Sequence, residues 1–464
     1  MDSQHNVIII GAGITGLTVA HHLHHQGVDT IVLEKADHVG GTMTTLRKDG
    51  WVIEKGPNSG LETTPLLGEL FDELEIRDKV AFANKASEKR YILRNSELHA
   101  LPTSPSSFLS SKLWSIPGKL RIFLEPFIGR AHREESISEF VSRRLGRELL
   151  DYAINPFVAG VYAGDPSKLS VQAAFPKLYA LEEKYGGLIR GMMLGARERK
   201  KREEKAKDRS RQFSFHGGMQ VLPDSIAEEL GSKVLLNVDI KSIRKIDNPE
   251  GKGYTVNTVS GGTDHNIKCN VIVFAIPSYG AAPLIKPFDE DLAEKISAIY
   301  YPPVAEVFLG YKKEAVGRTP DGFGFLIPEK EKRKILGTIW SSTIFQGRAP
   351  EGYEGFTTFV GGSRQPELAM LPDEELLDAV KSEMKKIMKV TGEPTLSFIN
   401  RWERAIPQYQ LGHNNIVSDI EKFEERHKGL VLGGNYRGGI SVSDCIISAK
   451  RIAGQVEMLL SSGD

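Results

Sequence analysis

Near its start the chain carries a run of β-branched residues, Val7-Ile8-Ile9-Ile10, with no polar position inside it. Unbroken apolar runs of this kind belong to strands buried on both faces, as in a parallel sheet covered by helices. Gly11-Ala12-Gly13-Ile14-Thr15-Gly16 follows at once, and an alanine- and leucine-bearing helical pattern then runs to about Gln26. A second apolar strand covers residues 30–33 and ends at Glu34. The predicted order is strand, tight turn, helix, strand. Similar segments return much later: 234–238 followed by Ile240 and Ile243, then 271–277, then 430–432. Each reads as a strand of the same sheet, although pattern alone fits the first two equally well as ordinary core strands. Residues 440–460 read as a helix. Residues 104–128 mix Phe108, Leu113, Trp114, Leu120, Phe123 and Phe127 with Lys112, Lys119 and Arg121. They predict two short amphipathic helices broken at Pro117-Gly118, with an apolar side facing either a core or a bilayer interface.

The glycine turn is where chemistry enters. Gly11 permits the turn, Gly13 lets backbone amides approach a pyrophosphate, and Gly16 lets helix and strand pack closely. Glu34 lies 23 residues after Gly11, where a carboxylate can accept hydrogen bonds from both hydroxyls of an adenosine ribose. This fingerprint fits FAD and NAD alike. Gly40-Gly41-Thr42 and then Gly56-Pro57-Asn58-Ser59, after a short strand-like stretch at 51–54, narrow it. Such second glycine turns resemble those that flavoproteins of the amine oxidase-like class place along the flavin. A start of the last helix at Ile440, Ser441 and Val442 would aim its amides and partial positive charge at the flavin, favouring an anionic reduced form. No second GxGxxG occurs, so an oxidase is expected rather than a reductase with a fixed nicotinamide domain.

Composition limits the remaining classes. The chain of 464 residues is 40% hydrophobic, 26% charged and 8% aromatic, which fits a soluble globular protein of two or three structural units. Sixty basic residues balance sixty acidic ones, so nucleic acid is not an expected partner. Cys269 and Cys445 are the only cysteines, without a CxxC pair, which argues against disulfides, a cysteine zinc site or a dithiol couple; no metal site is expected. Residues 7–28 carry no formal charge, yet four glycines and four histidines interrupt them and Asp2 precedes them. Neither a membrane span nor a signal peptide is expected there, and a cytoplasmic location follows. Residues 197–211 hold nine basic against four acidic side chains and read as a solvated helix or loop.

Longer strings point to one family. Asn155-Pro156-Phe157-Val158-Ala159-Gly160-Val161-Tyr162-Ala163-Gly164-Asp165-Pro166, Lys89-Arg90-Tyr91, Thr358-Phe359-Val360-Gly361-Gly362-Ser363-Arg364, Arg401-Trp402, Ile406-Pro407-Gln408-Tyr409 and Gly433-Gly434-Asn435-Tyr436-Arg437-Gly438-Gly439 resemble the protoporphyrinogen oxidase family of late haem synthesis, with its coproporphyrinogen-oxidising bacterial relatives. The resemblance runs nearly end to end. It implies an α/β and α+β fold with three parts: a discontinuous Rossmann-like FAD domain from 1–80, 213–285 and 405–464; a mixed-sheet substrate domain at 286–404; and a helical membrane-associating domain at 88–212.

The resemblance also implies roles. Non-covalent FAD would contact Gly11, Ala12, Gly13, Ile14, Thr15, Gly16, Glu34, Lys35, Gly41, Thr42, Gly56, Pro57, Asn58, Ser59, Val238, Trp402, Ile440, Ser441 and Val442. Arg90 would grip a substrate propionate, for which a planar guanidinium is suited. Leu326, Ile339 and Phe359 would sandwich the tetrapyrrole, with the Gly160 backbone beside it. The expected reaction removes six electrons from a porphyrinogen in three two-electron rounds, with hydride leaving a meso carbon for the flavin, N–H protons lost to solvent or by tautomerisation, and O2 reduced to hydrogen peroxide. No side chain stands out in the sequence as an obligatory base. Protoporphyrinogen IX and coproporphyrinogen III both remain open as substrates. Peripheral attachment to the inner face of a membrane, hand-off to ferrochelatase and a homodimer complete what the resemblance implies. Tyr436 departs from it, standing where many relatives have histidine.

Overall fold

The computed structural model describes residues 3–195, 210–248 and 251–461. Most of the basic run at 197–211 lies outside the described residues; Arg211, at its end, pairs with Glu62 at 3.0 Å. The fold is mixed α/β, built on two seven-stranded sheets with smaller two- and three-stranded sheets beside them.

The first sheet has a parallel centre. Ser3–Ile10 lies between Thr30–Leu33 and Thr263–Phe274; Val234–Leu235 extends one side and Leu430–Leu432 the other. The apolar run at the start is buried on both sides because successive side chains point to opposite faces. Val7 and Ile9 enter a core with the helices Ile14–His25, Val221–Leu230 and Val442–Ser461, whereas Ile8 and Ile10 enter another with Ser278–Ile285, Glu290–Ser297 and His413–Arg426. Val271 and Val273 take the first side, Ile272 and Phe274 the second. Each such side chain contributes roughly 1.5–3 kcal/mol by leaving water.

Several predicted boundaries move. The segment 234–238 yields only the two-residue strand Val234–Leu235, because Asn237 takes a left-handed φ of 58° and turns the chain. After it, Asp239–Asn248 pairs antiparallel with Gly251–Ser260, which pairs antiparallel with the first half of Thr263–Phe274. That last strand begins well before residue 271. Its leading half alternates exposed and buried positions, as a half-covered antiparallel strand does, and only its end is apolar throughout. The break expected at Pro117-Gly118 falls earlier. Ser115 caps the helix Ile116–Ile122 with Pro117 in its first turn, where a missing N–H costs nothing, and the break lies between Ser110 and Ser115.

The second sheet runs Leu396–Trp402, Val304–Lys312, Tyr353–Gly361, Gly337–Ile339, Gly324–Leu326, Arg90–Arg94, Glu97–Ala100. The hairpin at 90–100, grouped above with the helical segment, forms its far edge. Its back face packs Leu93, Ala305, Val307, Leu309, Phe325 and Val360 against the helix Asp373–Met388. A further set of helices is formed by residues 105–194. Among them Arg144 is fully buried and bonds Glu182 at 2.5 Å and Glu125 at 3.1 Å. Among the described residues no helix is long and apolar enough to cross a membrane.

Candidate functional site

Ser3–Ile10 delivers the chain into Gly11, whose φ is 102° and whose amide donates to the Leu33 carbonyl at 2.8 Å. A Cβ on Gly16 would stand 2.0 Å from the Gly11 carbonyl oxygen, so the helix can sit on this turn only with glycine there. Gly13 is different: no protein atom lies within 4 Å of where its Cβ would be. The helix Ile14–His25 starts on Gly13 without a side-chain cap. The first-turn amides of Ile14, Thr15 and Gly16 therefore face an open approach at the positive end of the helix, which suits a pyrophosphate.

Glu34 closes the adenosine side. Its carboxylate accepts from the Ala12 amide at 2.7 Å and the Ala36 amide at 2.8 Å. A carboxylate has about four acceptor positions, so capacity is left for ribose hydroxyls. The buried Val238 is held beside it, its amide donating to the Glu34 carbonyl at 2.9 Å. Lys35 points to solvent and pairs with Asp239 at 3.3 Å.

The later glycine turns come to the first. Gly13 and Gly40 form an isolated bridge, the Gly40 amide donates to the Ala12 carbonyl at 2.8 Å, and a Cβ on Gly41 would lie 3.5 Å from the Gly13 Cα. A Cβ on Gly56 would stand 2.0 Å from the Thr42 carbonyl oxygen. Beyond Pro57, the Asn58 amide side chain braces the turn by donating to the Gly56 carbonyl at 3.1 Å, and the Ser59 hydroxyl accepts from Gln212 at 2.6 Å. Trp402, from the second sheet, donates its indole N–H to the Lys55 carbonyl at 2.6 Å. Turns at 11–16, 40–42 and 56–59 thus form one line from Glu34 toward Trp402, an extended cradle that fits FAD.

At the carboxyl end, the helix Val442–Ser461 begins two residues later than Ile440. The Ser441 amide, expected to face the flavin, instead donates to the Asp444 carboxylate at 3.3 Å, while the Ser441 hydroxyl accepts from the Asp444 amide at 3.2 Å. This reciprocal cap ties up the Ser441 and Asp444 amides and sets a negative charge beside the helix dipole. The preceding turn is braced by Tyr409, whose hydroxyl donates to the Asn435 carbonyl at 2.6 Å and accepts from the Gly439 amide at 3.0 Å. Tyr436 is fully buried, and desolvation pushes its phenol pKa far up.

The register of the second sheet groups the predicted substrate residues. Directly paired residues share a face. Arg90 pairs with Gly324 and Ile92 with Leu326; Gly324 pairs with Ile339, Gly337 with Phe359, and Phe359 with Glu306. Arg90, Leu326, Ile339 and Phe359 therefore stand on the front face, opposite the helix-covered back. Gly160, on the helix Asn155–Tyr162, completes the group: a Cβ there would lie 2.6 Å from Leu326 Cδ2. Arg90 sits at the open end, 5.2 Å over the Phe323 ring. Its side chain is exposed at the surface, yet the protein around it still desolvates the guanidinium and draws its pKa down. Among the described residues no carboxylate pairs with it.

Distant strings meet to hold this face. Arg364 donates to the Asn155 carbonyl at 2.5 Å and its side-chain oxygen at 2.7 Å, and to the Ile327 carbonyl at 3.1 Å. Gln408 donates to the Tyr162 carbonyl at 2.7 Å, and the Ser363 amide to the Ala163 carbonyl at 2.7 Å. Burial pulls the Arg364 pKa down to about 10.

Other groups escaped the sequence reading. Glu54 and Arg348 form a buried pair at 2.5 Å, and Glu54 also accepts from Thr45 at 2.7 Å and the Met219 amide at 2.9 Å. Glu306 is buried on the front face with Oε2 unpartnered, and desolvation raises its pKa well above the carboxylate range. Only its strand register marks it, since in sequence it is one charge in an apolar run. His21, His25 and Glu229 bring possible metal-ligand atoms within 4.8 Å of one another. Both His21 nitrogens are already bonded, to Glu229 at 2.5 Å and Glu73 at 2.8 Å, linking the helix Ile14–His25 to the helices Val221–Leu230 and Pro65–Glu73.

Comparison with known proteins agrees with this geometry. Residues 14–457 match the family of flavin containing amine oxidoreductases. The chain is 33% identical to protoporphyrinogen oxidase 2 of Arabidopsis thaliana, covering 99% of this chain and 95% of that protein. It is 35% identical to the chloroplastic protoporphyrinogen oxidase of Oryza sativa over 98% and 88%, and 27% identical to the coproporphyrinogen III oxidase of Bacillus subtilis over 97% of both. A crystal structure from Exiguobacterium sp. 255-15 superimposes with a TM-score of 0.81 at 23% identity, covering 99% of both chains. Cyclohexylamine oxidase from Brevibacterium oxydans gives 0.69 at 17%, covering 98% and 99%.

Proposed function

The chain belongs to the flavin-containing amine oxidoreductase family, and from that premise we propose that it oxidises protoporphyrinogen IX to protoporphyrin IX. It is an FAD-dependent oxidoreductase; the bound FAD supplies the two-electron oxidation, and six electrons require three rounds with O2 as the final acceptor. The observation that carries this reading is the front face of the second sheet. Arg90, a cation without a carboxylate partner among the described residues, stands at one end, and Leu326, Ile339, Phe359 and Gly160 line the rest. That is the pattern a flat apolar macrocycle with a peripheral carboxylate requires. Higher identity to the protoporphyrinogen oxidases than to the coproporphyrinogen oxidase of Bacillus subtilis supports the choice of substrate.

Entry would be from a membrane surface. Ile116 is 73% exposed and Phe127 85%, and Leu120, Phe123 and Leu124 are exposed with them. Exposed Met192, Met193 and Leu194 follow on the helix Leu188–Leu194, which is anchored beside them by the Glu125 carboxylate accepting from the Leu188 amide at 2.7 Å. So large an apolar surface on short helices suits the headgroup boundary of a bilayer. The test is to incubate the flavin-loaded protein with each porphyrinogen under air and to follow porphyrin fluorescence. Higher kcat/KM for protoporphyrinogen IX is expected; a preference for the tetracarboxylate overturns the substrate assignment.

A further inference from the structure

Glu306 lies in the strand Val304–Lys312, paired directly with Phe359 on one side and Asn400 on the other. It shares the front face with Arg90, Leu326, Ile339 and Phe359, and Trp402 stands two pairs along from it, on the same face. The residue is 6% exposed, and among the described residues Oε2 has no hydrogen-bond partner. The Trp402 indole N–H, which donates to the Lys55 carbonyl at 2.6 Å, also lies within hydrogen-bond reach of the carboxylate and offsets part of its desolvation. Glu54 is the charged group that faces it from the hairpin Trp51–Glu54, and that carboxylate is tied to Arg348. A buried polar atom without a partner costs about 1–3 kcal/mol, so an orphan at the centre of a site is a position awaiting a ligand group.

A porphyrinogen presents pyrrole N–H donors at its centre and no ring acceptor. We propose that Glu306 accepts hydrogen bonds from these N–H groups and is the general base of the reaction. The inference rests on the porphyrinogen reading above. In each round bound FAD would take a hydride from a meso C–H bond, while a pyrrole N–H proton goes to the Glu306 carboxylate and the pair left on nitrogen closes a carbon–nitrogen double bond. Over the three rounds one tautomerisation moves a proton from the fourth meso carbon back to nitrogen, so that four meso hydrogens and two N–H hydrogens are lost in all. Glu306 then releases the proton to solvent before the next round. Burial that lifts a carboxyl toward neutrality makes it a better base at physiological pH, at the expense of a smaller ionised fraction.

Glu306→Gln keeps the shape and removes the base. Anaerobic bleaching of the flavin by protoporphyrinogen IX is expected to fall about 10²- to 10⁴-fold, the usual contribution of general base catalysis, while FAD content stays the same. The wild-type bleaching rate should rise with pH through one ionisation that the variant lacks. Infrared spectra of the resting protein should show a carboxylic acid carbonyl band that titrates with the same midpoint and is absent from Glu306→Gln. Equal bleaching rates and pH profiles in both proteins, or no titrating band, overturn the proposal alone. If neither porphyrinogen bleaches the wild-type flavin, the substrate reading fails and takes this role with it.

Discussion

Replacing Arg90 separates substrate binding from folding, because its guanidinium has no carboxylate partner that truncation would orphan. What the folded protein loses in Arg90→Ala is the contact with the Phe323 ring at 5.2 Å, about 0.5–1 kcal/mol for an exposed cation–π pair. What the complex loses is a charge-assisted hydrogen bond to a propionate, about 1.5–3 kcal/mol. At 1.4 kcal/mol per decade, kcat/KM should fall about 10- to 150-fold, with most of the change in KM. FAD content should hold, since Arg90 lies five strands across the sheet from Trp402. Arg90→Lys should recover only part of the loss, because an ammonium cannot reproduce the two-pronged grip. Steady-state porphyrin fluorescence and the flavin-to-protein absorbance ratio measure both quantities. Unchanged kcat/KM in Arg90→Ala, or a loss of FAD parallel to the loss of activity, refutes the role.

Three further outcomes are expected. Gly56→Ala places a methyl 2.0 Å from the Thr42 carbonyl oxygen, and with overpacking costing about 1–3 kcal/mol the purified protein should carry less FAD, read from its visible absorbance; full occupancy would show that the turns do not form one cradle. Arg348→Met leaves the buried Glu54 without its ion partner and should cost about 3–5 kcal/mol, seen as a lower urea midpoint, while Arg348→Met/Glu54→Gln should recover much of it. His413, buried with Nε2 donating to the Tyr436 carbonyl at 3.0 Å, has its pKa lowered from 6.5 to about 4. The unfolded chain then binds more protons between these values, so stability is whole above 6.5 and falls as pH drops toward 4; denaturation midpoints should show this slope, and His413→Asn should flatten it.

Where the chemistry lies within a few consecutive residues, the sequence carried it. Gly11, Gly13, Gly16 and Glu34 are separated by one turn, one helix and one strand, and the positive φ at Gly11 and the close approach of Gly16 to the Gly11 carbonyl leave little choice of residue. The apolar runs at 7–10 and 430–432 likewise marked strands covered on both faces. Boundaries were less legible. Asn237 ends a strand through a left-handed φ that an asparagine only permits, and Pro117 starts a helix where it seemed to break one.

The sequence by itself determined the turns proposed to hold a dinucleotide, because that geometry is local. The tertiary structure decided what else faces it. Only the pairing of strands far apart in the chain puts Arg90, Leu326, Ile339 and Phe359 on one side of a sheet. The same register turns Glu306 inward among them, and a shift of one residue would have sent it to the opposite face. Burial, which moves its pKa, is a property of that packing and not of the glutamate.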